Sequence, residues 1–175
     1  MNSGAAPDWP RDIFDALAAL DVRQVAYVPD AGHTELLARC AAARALRMVV
    51  LTTEEEGIAL LAGAWLGGAR GVLLTQSSGV GNCLNLFSLA RVCRFPLLLL
   101  VTMRGEAGEF NPWQVPMGRN TGELLRLAGV RVTRVEEPEE VGPAVAAAGR
   151  MAFAELAGAA VLIAQRLIGV KSFDE

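Results

Sequence analysis

The sequence predicts an α/β protein, a three-layer sandwich with a central, mostly parallel six-stranded sheet flanked by helices. Three observations lead there. Apolar runs of strand length alternate with helix-length segments along the 175 residues, and such alternation gives parallel sheets with right-handed crossovers. The strand candidates are continuous apolar runs, not alternating ones, the pattern of strands covered on both faces. The polar, Gly-rich stretches follow the early strands, on the edge where ligands bind in such sheets.

The elements follow in order. A helix opens near Pro10, with Asp8 as its cap and proline in the first turn. Residues 23–28 (RQVAYV) form a first strand, 34–45 a helix and 46–52 (LRMVVLT) a second strand. Residues 54–66 are helical, 71–76 (GVLLTQ) make a third strand, 80–92 a helix and 96–102 a fourth strand. A polar loop spans 104–117, a short helix 121–129, a weak strand 130–135, a helix 138–156 and a last strand 159–165. No repeat or low-complexity linker divides the chain, so residues 1–175 are expected to form one domain. The 54–66 helix is apolar on every face. Ile58, Leu61 and Trp65 follow Glu54, while Ala59, Ala62 and Leu66 follow Glu55, and Gly63 and Gly67 lie near the Glu56 line. It is expected to be buried all round.

Composition narrows the function. Apolar residues make up 53% of the chain and charged residues 20%, with a mean hydropathy of +0.35. That points to a subunit partly covered by a partner. Net charge is −3, and no basic run offers nucleic acid a footing. Apolar runs such as FPLLLLV from Phe95 are too short to span a bilayer. Residues 1–12 lack the basic and apolar regions of a signal peptide. Cys40, Cys83 and Cys93 show no metal-ligand spacing. Their odd number and the missing leader fit reduced thiols in a cytoplasm, used as small core residues. His33 is the single histidine and has no neighbours at ligand spacing, so no metal site is expected in this chain.

Four loops carry the polar residues: PDAGH (29–33), TTEEEG (52–57), QSSGVGN (76–82) and MRGEAGEFNPWQ (103–114). Glu54, Glu55 and Glu56 stand together at a helix start. Compensation of the helix dipole accounts for one or two of them and leaves open which one points inward. In QSSGVGN, Gly79 and Gly81 allow a tight turn and close backbone approach to a ligand, and the following amides suit an anion. The dinucleotide fingerprint fails, because Leu84 stands where a third glycine belongs, and the Gly-Lys-Ser/Thr of a P-loop is absent. A purely structural turn is the other reading of this loop.

The stretch 54–82, EEEGIALLAGAWLGGARGVLLTQSSGVGN, resembles the pyrimidine-binding (PYR) domain of thiamine diphosphate enzymes. In that family a glutamate follows the second strand and opens a helix. A small-residue pair comes two to three turns later, then a strand, then a Ser-Gly-x-Gly-Asn-like loop. Counting back from Gly63 without a gap matches the family glutamate to Glu54, with Glu55 one step off. The resemblance extends to VPD at 28–30 and RGE at 104–106. Taken together it covers almost the whole chain and is most similar to the decarboxylases of phosphonopyruvate and sulfopyruvate. It implies the thiamine diphosphate-binding fold. Full-length members add a diphosphate-binding domain with a Gly-Asp-Gly motif, which this sequence lacks. The resemblance therefore implies the alpha subunit of a two-subunit decarboxylase, inactive alone. A beta-type chain would hold the diphosphate and Mg2+, in a hetero-oligomer such as alpha2beta2.

Residue roles come with the resemblance. Glu54 is the catalytic glutamate that hydrogen-bonds the aminopyrimidine ring nitrogen from a dry site and so activates thiamine diphosphate. Glu55 and Glu56 are then helix-start charges or partner contacts. Pro29, Ser78, Gly79, Val80, Gly81 and Asn82 border the cofactor, and Asp30 lies near the reacting carbon. His33 is an acid in the reaction or a substrate contact, or else a polar residue at a helix start. Arg104 pairs with an anionic substrate group, since guanidinium suits sulfonate, phosphonate or carboxylate, or else is a solvated loop arginine. Glu106 and Gln114 are further substrate contacts. Phe110 and Trp113 depart from those decarboxylases, and either line a less polar pocket or bury at a subunit contact. The implied reaction is decarboxylation of a 2-oxo acid such as sulfopyruvate or a phosphonopyruvate-like acid. Two other readings stand beside it: carbon–carbon bond formation, as in acetolactate synthases, and a non-catalytic binding or regulatory domain.

Overall fold

The computed structural model describes residues 7–169. Residues 1–6, half of the stretch read above for a leader, lie outside that range. Six strands form one sheet: β1 (Val22–Tyr27), β2 (Arg47–Val50), β3 (Arg70–Gln76), β4 (Leu97–Thr102), β5 (Arg131–Val135) and β6 (Gly158–Ile163). Their order is β2-β1-β3-β4-β6-β5, and every pairing is parallel. The chain leaves β1 in one direction for β2 and returns in the other for β3. That reversal makes a crevice at the carboxyl ends of β1 and β3.

Eight helices cover the sheet among the described residues: α1 (Trp9–Ala19), α2 (Thr34–Ala42), α3 (Glu54–Leu66), α4 (Ser77–Cys83), α5 (Phe87–Cys93), α6 (Val115–Leu127), α7 (Pro138–Glu155) and α8 (Gln165–Ile168). α1, α2 and α7 pack on one face through Ile13, Leu17, Leu36, Val141 and Val145, against Leu98, Leu100 and Val161. α3 to α6 pack on the other through Ile58, Leu61, Val80, Phe87 and Leu125, against Leu97, Leu99 and Val101. Neighbours in β4 thus face opposite layers, and all six of its residues are buried. This is why the sequence shows a solid apolar run there.

Three elements differ from expectation. The helix expected over 80–92 is two, α4 and α5, with a tight turn between them. The Leu86 amide donates to Cys83 O (2.9 Å) and the Ser88 hydroxyl to Asn85 O (2.6 Å). α6 begins at Val115, six residues before the expected start, because Pro116 in a first turn favours a helix. Gly118 is needed within it, since a Cβ there would lie 2.1 Å from the Arg104 carbonyl oxygen. α3 is not buried all round: Ala59 and Gly63 are exposed and Leu66 is 87% exposed. The sheet covers one side of it and leaves an apolar side open.

Cys40 and Cys83 are core residues, as expected, with burial raising their thiols to about 11 and about 12. Cys93 is exposed instead. Among the described residues no side-chain cluster suits a metal ion, and no helix is long and apolar enough to cross a membrane.

Candidate functional site

The polar loops meet along the carboxyl edge of the sheet. The turn after β2 delivers Glu54 as the first residue of α3, 7% exposed. Its Oε2 accepts a hydrogen bond from Asn82 Nδ2 at 2.8 Å, which is its one side-chain bond among the described residues. Gly79 makes the approach possible. A Cβ there would stand 2.3 Å from Glu54 Oε1 and 2.5 Å from Thr75 Oγ1. The two ends of the resemblance motif, 28 residues apart, are therefore in direct contact. Gly81 sits against Met117, 3.4 Å from where its Cβ would be. Val80 is buried in the core, Ser78 is half-buried, and Asn82 and Pro29 are exposed at the rim.

The neighbouring glutamates differ. Glu55 is half-buried, with its carboxyl held below the usual carboxylate range, the Thr53 side chain first among the causes, and with Oε2 enclosed and lacking a hydrogen-bond partner. Glu56 is exposed, and its Oε2 caps the helix by accepting from the Thr52 amide at 2.9 Å. All three stand in the first turn of α3, where acids suit the helix dipole, and Glu54 is the most enclosed of them.

Beside this corner, Asp30 Oδ2 accepts from the Thr102 hydroxyl (2.6 Å) and the Gly32 amide (3.2 Å). His33 follows, 1% exposed, its Nε2 3.3 Å from Thr75 O. Nδ1 is buried with no hydrogen-bond partner. Burial lowers the imidazole below its ordinary value, opposed by nearby Asp30. A neutral ring enclosed in this way ties the β1 loop to β3. The ring expected as an acid, a substrate contact or a helix-start polar residue is thus enclosed, with Nδ1 left without a partner.

The loop after β4 is knotted to its surroundings. The Ser77 hydroxyl accepts from the Arg104 amide at 3.0 Å and lies within reach of the Arg104 carbonyl oxygen at 3.3 Å. Gly105 has φ +75°, and a Cβ there would meet Gln114 O at 2.3 Å. Arg104 is not a solvated arginine. Its Nε and Nη2 donate to the two carboxylate oxygens of Glu109 at 2.8 and 2.7 Å, with the two side chains 12% and 1% exposed. Glu109 also accepts from the amides of Gly105 (3.0 Å) and Asn111 (2.9 Å) and from Gln165 Nε2 (2.9 Å). The Arg104 hydrogen bonds lead in pulling its carboxyl down to about 2.

Glu106, expected as a substrate contact, is engaged elsewhere: it pairs with Arg134 at 2.7 Å and accepts from the Gln165 amide at 3.0 Å. Gln114 is buried, with Oε1 lacking a partner. Sequence reasoning missed Glu109, Gln165, Ser77, Thr75 and Thr102. Only Glu109 carried a signal, as a charge inside a Gly-rich loop.

Comparison with known proteins agrees with the geometry. Residues 10–111 match the family described as thiamine pyrophosphate enzyme, N-terminal TPP binding domain. The chain belongs to this family. Relatives within it include a phosphonopyruvate decarboxylase of Streptomyces viridochromogenes, 43% identical over 118 residues, which are 66% of this chain and 30% of that protein. A sulfopyruvate decarboxylase subunit alpha of Methanocaldococcus jannaschii is 33% identical over 129 residues, 73% of this chain and 76% of that one. The subunit alpha of Methanothermobacter thermautotrophicus is 41% identical over 97 residues, 55% of this chain and 59% of that one. The match thus spans under a third of the phosphonopyruvate enzyme and most of the Methanocaldococcus subunit. Among solved structures, the 2-oxoglutarate:ferredoxin oxidoreductase from Magnetococcus marinus superposes with a TM-score of 0.74 over 91% of this chain and 29% of that one. At 16% identity it attests the fold.

Proposed function

We propose that this chain is the alpha-type subunit of a two-subunit, thiamine diphosphate-dependent 2-oxo acid decarboxylase, and that Glu54 serves the aminopyrimidine ring. A beta-type chain would hold the diphosphate and Mg2+ and complete the site, in a cytoplasmic hetero-oligomer. The observation that carries this reading is the Glu54 corner: an enclosed carboxyl at a helix start, bonded by one neutral amide, with Gly79 backbone in place of a side chain against it. Such a carboxyl has hydrogen-bonding capacity left over. That suits a ring nitrogen with which a proton is shared. The names of the relatives, subunit alpha and decarboxylase, support the division of labour and the reaction.

When bound, thiamine diphosphate supplies the carbon nucleophile and the electron sink for loss of carbon dioxide. The chain's own part is positional. Glu54 carries the shared proton at one carboxylate oxygen, and Asn82 fixes the other. Pro29, Ser78, Gly79, Gly81 and Asn82 would border the cofactor's ring, with Val80 anchoring that loop in the core. The apolar side of α3, with Leu66 and Gly63, is available to the second chain, whose covering would exclude water.

The test is reconstitution. This chain, a candidate beta-type chain, thiamine diphosphate and Mg2+ are mixed, and carbon dioxide release is followed from a panel of 2-oxo acids that includes sulfopyruvate and phosphonopyruvate. Release that requires both chains supports the proposal. A stable complex that binds the cofactor but releases nothing from any acid contradicts the decarboxylase reading and favours carbon–carbon bond formation.

A further inference from the structure

We infer that the cavity between the loop after β4, the start of α6 and the ends of β5 and β6 is a binding site for a small tetrahedral oxyanion, with Arg119 as its uncommitted cation. The group it suits is a phosphate, sulfate, phosphonate or sulfonate. The site stands whether or not the chain is a decarboxylase subunit. The cavity is about 610 Å³, and its lining includes Gly105, Glu106, Gly118, Arg119, Arg134 and Arg166. That volume falls in the range of small-molecule sites. It lies on the carboxyl edge of the sheet but apart from the Glu54 corner. Met117 sits against Gly81, whereas Arg119, two residues on, lines the cavity. Residues so spaced in a helix point about 200° apart, so α6 stands between the two places.

Charge singles out Arg119. Arg134 donates through Nη1 to Glu106 and through Nε to Glu136. Arg166 donates through Nε to the Glu136 carbonyl oxygen and through Nη2 to Glu137. Each keeps a terminal nitrogen outside those bonds, Nη2 of Arg134 and Nη1 of Arg166. Arg119 is exposed and has no ion pair among the described residues. Glu106 is the one carboxylate in the lining, and it is met by Arg134 and by the Gln165 amide. Three guanidiniums around one cavity repel one another. Glu106, Glu136 and Glu137 answer two of them, and the third is left for an anion from outside. A planar guanidinium offers paired donors to such an oxyanion. The amino end of α6 adds positive potential, since its first residue, Val115, lines the same cavity. Arg104, expected to meet an anionic group, has its charge matched by Glu109 instead.

The probe is inorganic sulfate, titrated calorimetrically into this chain at constant ionic strength with chloride as the balancing anion. Every wall of the cavity belongs to this chain, so the titration needs no second subunit. Arg119→Gln should weaken sulfate binding about tenfold or more, the worth of a hydrogen bond to a charged group. Arg44→Gln removes an exposed arginine before β2 and should leave binding unchanged. A wild type that binds no sulfate overturns the inference. So does an Arg119→Gln variant that binds as the wild type does, or one weakened no more than Arg44→Gln. Two sources of the group are then told apart by Kd values on the two-chain complex, with sulfopyruvate and pyruvate, which differ by the sulfonate. If the group is a substrate's tail, Arg119→Gln weakens sulfopyruvate about tenfold, spares pyruvate, and sulfate competes with sulfopyruvate alone. If it is a free anion, sulfate binds together with either acid, and Arg119→Gln treats the two acids alike. Both outcomes uphold the site and name its occupant. A complex that binds the acids and releases no carbon dioxide defeats the decarboxylase reading and leaves the sulfate result standing.

Discussion

Two enclosed glutamates stand on the same sheet edge and do opposite things. Glu54, after β2, is 7% exposed and takes one hydrogen bond, from a neutral amide. Glu109, after β4, has a side chain 1% exposed and takes five, two of them from Arg104. A buried carboxylate is costly unless its lone pairs are met. Glu109 meets that condition within the chain and becomes a fixed part of the loop. Glu54 meets it only in part, which is the observation behind its proposed role at the cofactor ring. The number of donors around each carboxyl, more than its burial, is what distinguishes the two.

The comparison can be broken by substitution. The largest effect belongs to Glu54→Gln, which should lower turnover of the reconstituted complex by about 100- to 10,000-fold while circular dichroism stays unchanged. Glu55→Gln should remain near wild type, and a reversed order would shift the assignment by one residue. Gly79→Ala comes next. Its methyl would have to share space with Glu54 Oε1 and Thr75 Oγ1. Overpacking of this kind costs about 1–3 kcal/mol, so both the thermal midpoint and cofactor affinity should fall.

Acid should then separate the buried groups. His33 is held below its ordinary 6.5 in the fold, so the unfolded chain binds the proton first. Its contribution to stability is present above about 6.5 and is lost as the pH falls below that. Glu109 is depressed from 4.5 to about 2. Its contribution is present above 4.5 and is lost as the pH falls toward 2. Denaturation midpoints at pH 7.5, 5.5 and 3.5 should decline in two stages, and His33→Gln should remove the first. The smallest effect is expected for Glu56→Ala, about 0.5 kcal/mol, from loss of the exposed cap on the Thr52 amide.

Much of this was legible in the sequence. The central strands β3, β4 and β6 are visible as apolar runs because both sheet faces are covered there, whereas the edge strands β2 and β5 are largely open. Strand order put the Glu54 and Gly79–Asn82 segments on the ligand-binding edge, and the resemblance to the PYR domain singled out Glu54 among the three glutamates. Other features were not. The break between α4 and α5 lies in a segment that is apolar on both sides, so periodicity shows no seam. The pairing of Arg104 with Glu109 depends on a Gly105 turn at positive φ, which spacing along the chain does not reveal. The burial of His33 under the β1 loop is likewise a tertiary fact, since a histidine at a helix start reads as exposed.

The central claim is that Glu54 acts on the cofactor's ring. It is tested most directly by hydrogen–deuterium exchange at the thiazolium carbon of thiamine diphosphate bound to the two-chain complex. The account predicts that Glu54→Gln slows this exchange by about 100-fold or more, with cofactor still bound and Glu55→Gln unaffected. Exchange at the wild-type rate in Glu54→Gln would contradict it.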